Sequence, residues 1–166
     1  MLGEGGADVD PGDQDQASAD SWVSHLAEEL ADDYGSVDRD LVVAIVRESY
    51  AALARTATVT RYLIPLAERF ARQRLADLSR DRDTAAPQVL FVCVQNAGRS
   101  QLAAALVNKL SDGKVVARSA GSSPASQVHP HVHSMLKGIA GEQYTSEVFP
   151  KPLTDDAVRA LSLIHI

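Results

Sequence analysis

The 166-residue sequence has little cysteine and no long apolar run. Its single cysteine, Cys93, excludes an internal disulfide framework and favours a reducing cytoplasm, where a lone thiol can be reactive. No apolar run approaches the roughly 18 residues that a membrane-spanning helix needs. The N-terminus also lacks the basic region and apolar core of a secretory signal. We therefore expect a cytoplasmic protein with no membrane as a partner.

The sequence also has no excess of basic residues. The chain has 16 basic and 22 acidic residues and a formal net charge of −6. The excess of acid lies in residues 1–20, so the remainder is close to neutral. Because no basic field is present, nucleic acid is not expected as a partner. Apolar residues at 45% indicate a globular protein rather than a disordered chain.

The chain divides into five predicted parts. Residues 1–19 are mostly small or acidic, cannot bury a core, and predict a disordered acidic tail. Apolar residues at helical spacing predict a three-helix bundle at 20–79, and the polar segment 80–87 predicts a linker. An α/β unit follows at 88–160. Residues 161–166 resemble the translation of an adapter used in sequencing libraries, so we expect a non-native tail there.

Three amphipathic segments define the bundle, at about 21–34, 38–57 and 60–78. Pro65 lies late for a first-turn proline, which predicts a kink or a later start of the third helix. Short helices joined by tight turns are typical of a small antiparallel bundle. The second half of the bundle is rich in arginine. We interpret these arginines as a solvated face of the bundle, and a docking surface is the alternative.

The second unit opens with a continuous apolar run at 89–94, typical of a strand buried on both faces of a parallel sheet. A helix at 101–110 and a second strand at 115–117 complete a βαβ unit. One further helix is expected within 124–139, and another after Thr154. The sequence thus predicts an α/β protein: an N-terminal three-helix bundle followed by an incomplete three-layer α/β domain with a parallel sheet.

The loop between the strand and the helix carries the chemistry. Backbone N–H groups from Val94 to Arg99 can point into one concavity at the positive end of a helix, which suits a tetrahedral oxyanion. Arg99 would add a planar, two-pronged donor. Cys93 would lie at the bottom, where the same dipoles favour the thiolate, and Ser100 can donate to its sulfur.

Two further residues suit the same loop. Gly98 would permit a backbone angle that a side chain forbids, and Asn96 could bridge loop carbonyls. The alternative is a buried structural cysteine with an arginine nearby by chance. The complete string between an apolar strand and an alanine-rich helix favours the oxyanion site. The predicted oxyanion-binding residues are Val94, Gln95, Asn96, Ala97, Gly98, Arg99 and Ser100.

Residues 89–105 resemble the opening of the low-molecular-weight protein tyrosine phosphatase superfamily, and 118–122 resemble its second strand and turn. The string Asn-Ala-Gly-Arg-Ser-Gln-Leu-Ala at 96–103 resembles its arsenate reductase branch. Residues 124–125 and 128–130 are similar to arsenate reductases of the actinobacterial, mycothiol-linked type. The three-helix segment resembles an N-terminal domain that is fused to such proteins.

The resemblance implies a phosphatase-like α/β domain in which Cys93 is the nucleophile and Arg99 binds the oxyanion. Asn96 and Ser100 match loop-shaping and thiolate-stabilising positions. It implies an arsenate reductase with no bound cofactor, whose reductant is an external thiol, either mycothiol or a thioredoxin-type redoxin. One alternative is a phosphomonoesterase that forms phosphocysteine, and another is an oxyanion-binding or interaction protein without turnover. The oxyanion partner is thus arsenate or phosphate.

The sequence departs from the family at its general acid, an aspartate before a proline in the C-terminal part. Asp155 and Asp156 do not match it, and no Asp-Pro pair or further cysteine follows the loop. Because the chain stops early, we expect residues 1–166 alone to bind oxyanions poorly, to be inactive and to have an unstable second half.

Histidines alternate at positions 129, 131 and 133. Alternating histidines can bind a metal ion, but no carboxylate or cysteine lies in register with them. We therefore interpret them as a solvated helix start and expect no metal site.

Overall fold

The computed structural model describes residues 11–58, 60–80 and 86–161, with side chains from Ser18 onward. The predictions made for the first ten residues of the tail, for the centre of the linker and for the last five residues of the chain lie outside these ranges. Within them, no helix is both long and apolar enough to cross a membrane.

Three helices form the N-terminal unit: α1 (Pro11–Asp33), α2 (Arg39–Ala54) and α3 (Leu63–Leu78). The side chain of Asp38 caps α2 by accepting hydrogen bonds from two backbone N–H groups of its first turn. The predicted apolar stripes contribute to two core clusters, the first of which lies between all three helices. Its buried members are Val23, Leu26, Ala27, Leu30, Val42, Ile45, Val46, Ala71 and Leu75.

Helix α1 begins ten residues earlier than its apolar pattern indicated. Residues 11–19, expected in a disordered tail, are helical from Pro11 onward. Once the buried turns from Val23 onward are fixed, adding residues to a helix costs little, because the unfavourable nucleation step is complete. Proline also suits the first helical position, where its missing N–H has no partner to lose. Apolar spacing marked only the packed part of this helix.

The later start of the third helix, which Pro65 allowed, is confirmed. A 3₁₀ turn at Thr60–Tyr62 precedes α3, so Pro65 is the third residue of the α-helix. The N–H groups of the first turn have no intrahelical acceptor, and proline therefore removes no hydrogen bond there.

The second unit contains the predicted βαβ arrangement, which confirms the fold class. Strand β1 (Gln88–Cys93) pairs in parallel with β2 (Val116–Gly121), and α4 (Arg99–Ser111) connects them. Strand β2 runs four residues further than predicted. Cys93 therefore lies opposite Gly121 at the carboxyl ends of the two strands. This edge of a parallel sheet is where ligands bind in open α/β folds.

Three short helices follow: α5 (Pro130–Ala140), α6 (Glu142–Glu147) and α7 (Asp155–Arg159). Helix α5 lies where a helix was expected and starts at a first-turn proline, whereas α6 was not predicted because it is too short to show a period. Thr154 precedes α7 as predicted, but its hydroxyl bonds the Asp156 carboxylate, 3.2 Å away.

Strand β1 is less buried than its apolar sequence predicted. Val92 is 49% exposed, and Leu90 and Phe91 are half-buried. Among the residues described, β1 has one strand neighbour, β2, so burial on both faces is not reached. Leu106 and Leu110 of α4 are exposed as well.

Candidate functional site

A cleft of about 500 Å³ opens where β1 ends and α4 begins. One wall is the predicted loop with the first turn of α4, and the other is the start of α5. Asn96 and Ser100 are buried beneath the loop surface. The lining residues are Cys93, Val94, Gln95, Ala97, Gly98, Arg99, Leu102, His129, His131, Val132 and Met135.

The segment after β2 holds the loop by its carbonyl groups. Backbone N–H groups of Ser122, Ser123, Ala125 and His129 donate to the carbonyls of Cys93, Val94, Gln95 and Ala97, at N–O distances of 3.1, 2.8, 3.0 and 3.1 Å. Across a planar trans peptide, a carbonyl and the next N–H point in opposite directions. With these carbonyls bound outside, the following N–H groups face the concave side of the loop, as an oxyanion site requires.

The Cys93 thiol lies among hydrogen-bond donors. Its Sγ is 3.0 Å from Ser100 Oγ, and the backbone N–H of Asn96 donates to it over 3.2 Å. Burial alone would raise the pKa of the thiol. Hydrogen bonds from the hydroxyl and N–H of Ser100 and from the N–H of Asn96, with the charge of Arg99, outweigh burial and lower the pKa of Cys93. This environment favours the thiolate, the reactive form.

Asn96 shapes the loop from below. Its φ of 49° lies in the left-handed region, which asparagine tolerates better than most residues. Its Nδ2 donates to Ser100 Oγ over 2.8 Å, and its Oδ1 accepts from the backbone N–H of Lys151 over 2.8 Å. Gly98 has a φ of −155°, which lies outside the left-handed region, so the left-handed residue of the loop is Asn96.

Gln101 is a structural residue of the site that the sequence analysis missed. It is 1% exposed, and its Nε2 donates to both oxygens of Asn96, the carbonyl at 3.1 Å and Oδ1 at 3.0 Å. Its Oε1 accepts from Ser119 Oγ over 3.2 Å. A polar residue among the apolar positions on the buried face of α4 was the available signal.

Gly121 closes the site from the side of β2. A Cβ at this position would lie 2.7 Å from the carbonyl oxygen of Val94 and 3.0 Å from Cβ of Asn96. Only glycine lets the strand end approach the loop this closely. From the sequence, Gly121 was recognised only as part of the segment 118–122, which resembles a strand and turn.

Arg99 is the first residue of α4, is exposed and lines the cleft. The rings of His129 and His131 stack on the opposite wall, with centroids 5.7 Å apart and planes 6° apart, while His133 lines a different cavity. The described residues contain no group of three or more histidine, cysteine, aspartate or glutamate side chains that could hold a metal ion. The first two histidines are therefore wall residues of the cleft, a placement that their sequence pattern did not indicate.

The two aspartates considered as acids lie away from the cleft. Asp156 is ion-paired with Arg74 of α3 over 2.8 Å, and both side chains are largely buried. Asp155 lines a separate cavity beside α2. Neither carboxylate lines the cleft that contains Cys93.

Comparisons with known proteins match both units. Residues 23–79 match the protein-tyrosine-phosphatase-like N-terminal domain, and residues 88–166 match the low molecular weight phosphotyrosine protein phosphatase family. Among solved structures, the chain is similar to the thioredoxin-dependent arsenate reductase of Corynebacterium glutamicum, with 44% sequence identity and a TM-score of 0.76. The match covers 84% of this chain and 71% of that one.

Proposed function

Since the chain belongs to the low molecular weight phosphotyrosine protein phosphatase family, we propose that it acts on an oxyanion as an arsenate reductase. One observation carries the proposal: the Cys93 thiol faces inward-pointing loop amides and hydrogen-bonds Ser100. The similar arsenate reductase supports arsenate rather than a phosphate ester as the substrate.

Cys93 is the proposed nucleophile. Its thiolate attacks arsenic, an S–As bond forms, and one arsenate oxygen leaves as water after taking up protons. The N–H groups of the loop and the Arg99 guanidinium bind the remaining oxygens, where negative charge develops. In this role Val94, Gln95, Asn96, Ala97, Gly98 and Ser100 supply donors or shape the loop.

The reductant is proposed to be external, because Cys93 is the single cysteine of the sequence. Two thiols are oxidised to one disulfide while arsenic passes from the +5 to the +3 state and is released as arsenite. A thioredoxin-type redoxin is supported by the similar enzyme, and mycothiol, which the sequence resemblance implied, is the alternative. The proposal includes no bound cofactor and a cytoplasmic location, where such reductants keep thiols reduced.

Phosphomonoester hydrolysis is the second candidate, because the family matched by residues 88–166 is one of phosphatases. A phosphate ester would occupy the same loop, and the sulfur would attack phosphorus instead of arsenic. Hydrolysis requires water to release phosphate from Cys93, whereas reduction requires a thiol. The two reactions therefore differ in a measurable co-substrate.

The test uses single-turnover conditions, because residues 1–166 alone are expected not to turn over and no carboxylic acid lines the cleft among the described residues. The chain is incubated with arsenate and a thioredoxin that lacks its resolving cysteine, and Cys93 adducts are measured by mass spectrometry with the arsenite released. We expect an arsenate-dependent mixed disulfide at Cys93 and none in Cys93→Ser. Hydrolysis of p-nitrophenyl phosphate without arsenite would favour the phosphatase, and anion binding with neither product would contradict both enzymes.

A further inference from the structure

The ring of Phe149, which follows α6, is part of the core of the N-terminal bundle. Phe149 is 8% exposed and belongs to a cluster with four residues of the bundle. Its ring meets that of Phe70 edge to face, with centroids 6.5 Å apart and planes 82° apart. The cluster comprises Leu53, Leu63, Ala67, Phe70 and Phe149.

The backbone around Phe149 also contacts the Cys93 loop. The carbonyl of Phe149 accepts a hydrogen bond from Gln101 Nε2 over 3.0 Å, and the same Nε2 donates to Asn96. Two residues later, the N–H of Lys151 donates to Asn96 Oδ1. A three-residue segment therefore contacts the bundle core with its side chain and the loop with its backbone.

One buried ion pair and one buried carboxylate link the two units. Arg74 of α3 bonds Asp156 through two nitrogens, and the side chains are 8% and 11% exposed. Asp77, at the end of α3, accepts from Gln88 over 3.1 Å and from Arg118 over 2.9 Å. Breaking one partner of such a pair is costly, so the bundle is a rigid support rather than a loosely tethered domain.

We propose that the bundle positions the oxyanion loop through Phe149, Gln101 and Asn96. If Phe149 moves, the buried Gln101 amide loses one of its three acceptors, and its position against Asn96 is no longer fixed from the side of residue 149. Asn96 carries the N–H that bonds Cys93 Sγ, so the thiolate loses stabilisation. Gln101 and Phe149 are positioning residues that act through Asn96. The inference rests on the proposed function only for the reaction, since the thiol and its anion site can be measured without turnover.

The test compares two truncations inside the bundle. Phe70→Ala removes the ring that meets Phe149, whereas Leu30→Ala removes a similarly buried side chain from the other core cluster. For each variant of the whole chain, urea denaturation gives stability and the iodoacetamide rate against pH gives the thiol titration. Protection of Cys93 by phosphate gives anion affinity.

Both variants should lose stability, but only Phe70→Ala should move the alkylation profile to higher pH and weaken phosphate protection about tenfold or more. Phe70→Leu, which restores much of the volume, should recover both. Equal effects of the two alanine variants on the thiol, or no effect of either, would overturn the inference. If Phe70→Ala does not fold, Gln101→Met replaces it in the test, because methionine keeps the side-chain volume but lacks the amide. An unchanged alkylation profile in Gln101→Met would also overturn the inference. Failure of arsenate reduction alone would leave this result standing and refute only the proposed reaction.

Discussion

Replacing Ser100 with alanine should make Cys93 much less reactive at low pH. Ser100 is buried, and its Oγ lies 3.0 Å from Cys93 Sγ and 2.8 Å from Asn96 Nδ2. Because Asn96 Nδ2 donates to Oγ, the hydroxyl hydrogen is free to point at the sulfur. A hydrogen bond to a charged group contributes about 1.5–3 kcal/mol, and about 1.4 kcal/mol corresponds to a tenfold change in population. Since Cys93 is half-exposed and water can replace part of the loss, we expect about a tenfold smaller thiolate fraction.

The assay is the rate of iodoacetamide alkylation of the native chain from pH 5 to 9. Ser100→Ala should shift the profile to higher pH, Ser100→Thr should largely restore it, and Ser24→Ala on the exposed face of α1 should leave it unchanged.

The folded-state pKa of Cys93 is lowered, so its contribution to folding is complete above the unfolded pKa of about 8.5. That contribution is lost as pH falls through the folded value. The free energy of unfolding should therefore depend less on pH in Ser100→Ala. An identical alkylation profile in Ser100→Ala and the parent would refute the reasoning.

Three further substitutions test the site and its surroundings. Arg99→Lys keeps the charge but loses the planar fork, and should slow single-turnover arsenate reduction about a hundredfold or more; near-equal rates would place Arg99 outside the reaction. Gly121→Ala would put a Cβ 2.7 Å from a loop carbonyl oxygen. It should lower the free energy of unfolding by about 1–3 kcal/mol in urea denaturation and weaken the protection of the thiol by phosphate. Gly35→Ala, where the added Cβ meets open space, should change neither quantity. Burial, with the charge of Arg118, lowers the pKa of Lys151 to about 8, so the unfolded chain binds more protons above that pH and stability should rise from about pH 8 to 10. Denaturation of Lys151→Met at both ends of that range should show the rise abolished, and its persistence would mean that another group causes it.

The loop was predictable because its chemistry is contiguous in sequence. Cys93, Arg99 and Ser100 stand within eight residues, between a continuous apolar strand and a helix whose period is visible. The direction of the loop N–H groups could be predicted from local sequence alone. A loop between the end of a strand and the start of a helix places these groups at the positive end of the helix. The left-handed backbone of Asn96 was not predicted, because the contacts of its side chain with Gln101 and Lys151 are recognisable only in the tertiary structure.

The support of the loop could not be predicted in the same way. Phe149 follows a helix too short to show a period. Nothing near it in sequence indicates that its ring enters a core formed by residues 79 to 96 positions earlier. Gln101 looks like an ordinary polar residue in the first turn of α4. Its acceptors come from the loop and from position 149, and only tertiary structure brings them together.

The position of Phe149 in the bundle has a consequence for synthesis on the ribosome. Helices α1 to α3 make mostly local contacts and can form as soon as they emerge. Their second core cluster nevertheless stays open on one side until the strands and helices that follow have been made and Phe149 arrives. The nascent bundle thus presents an apolar site that a later part of the same chain fills. Vectorial folding would join the two units in one order, with the Cys93 loop reaching its final shape last.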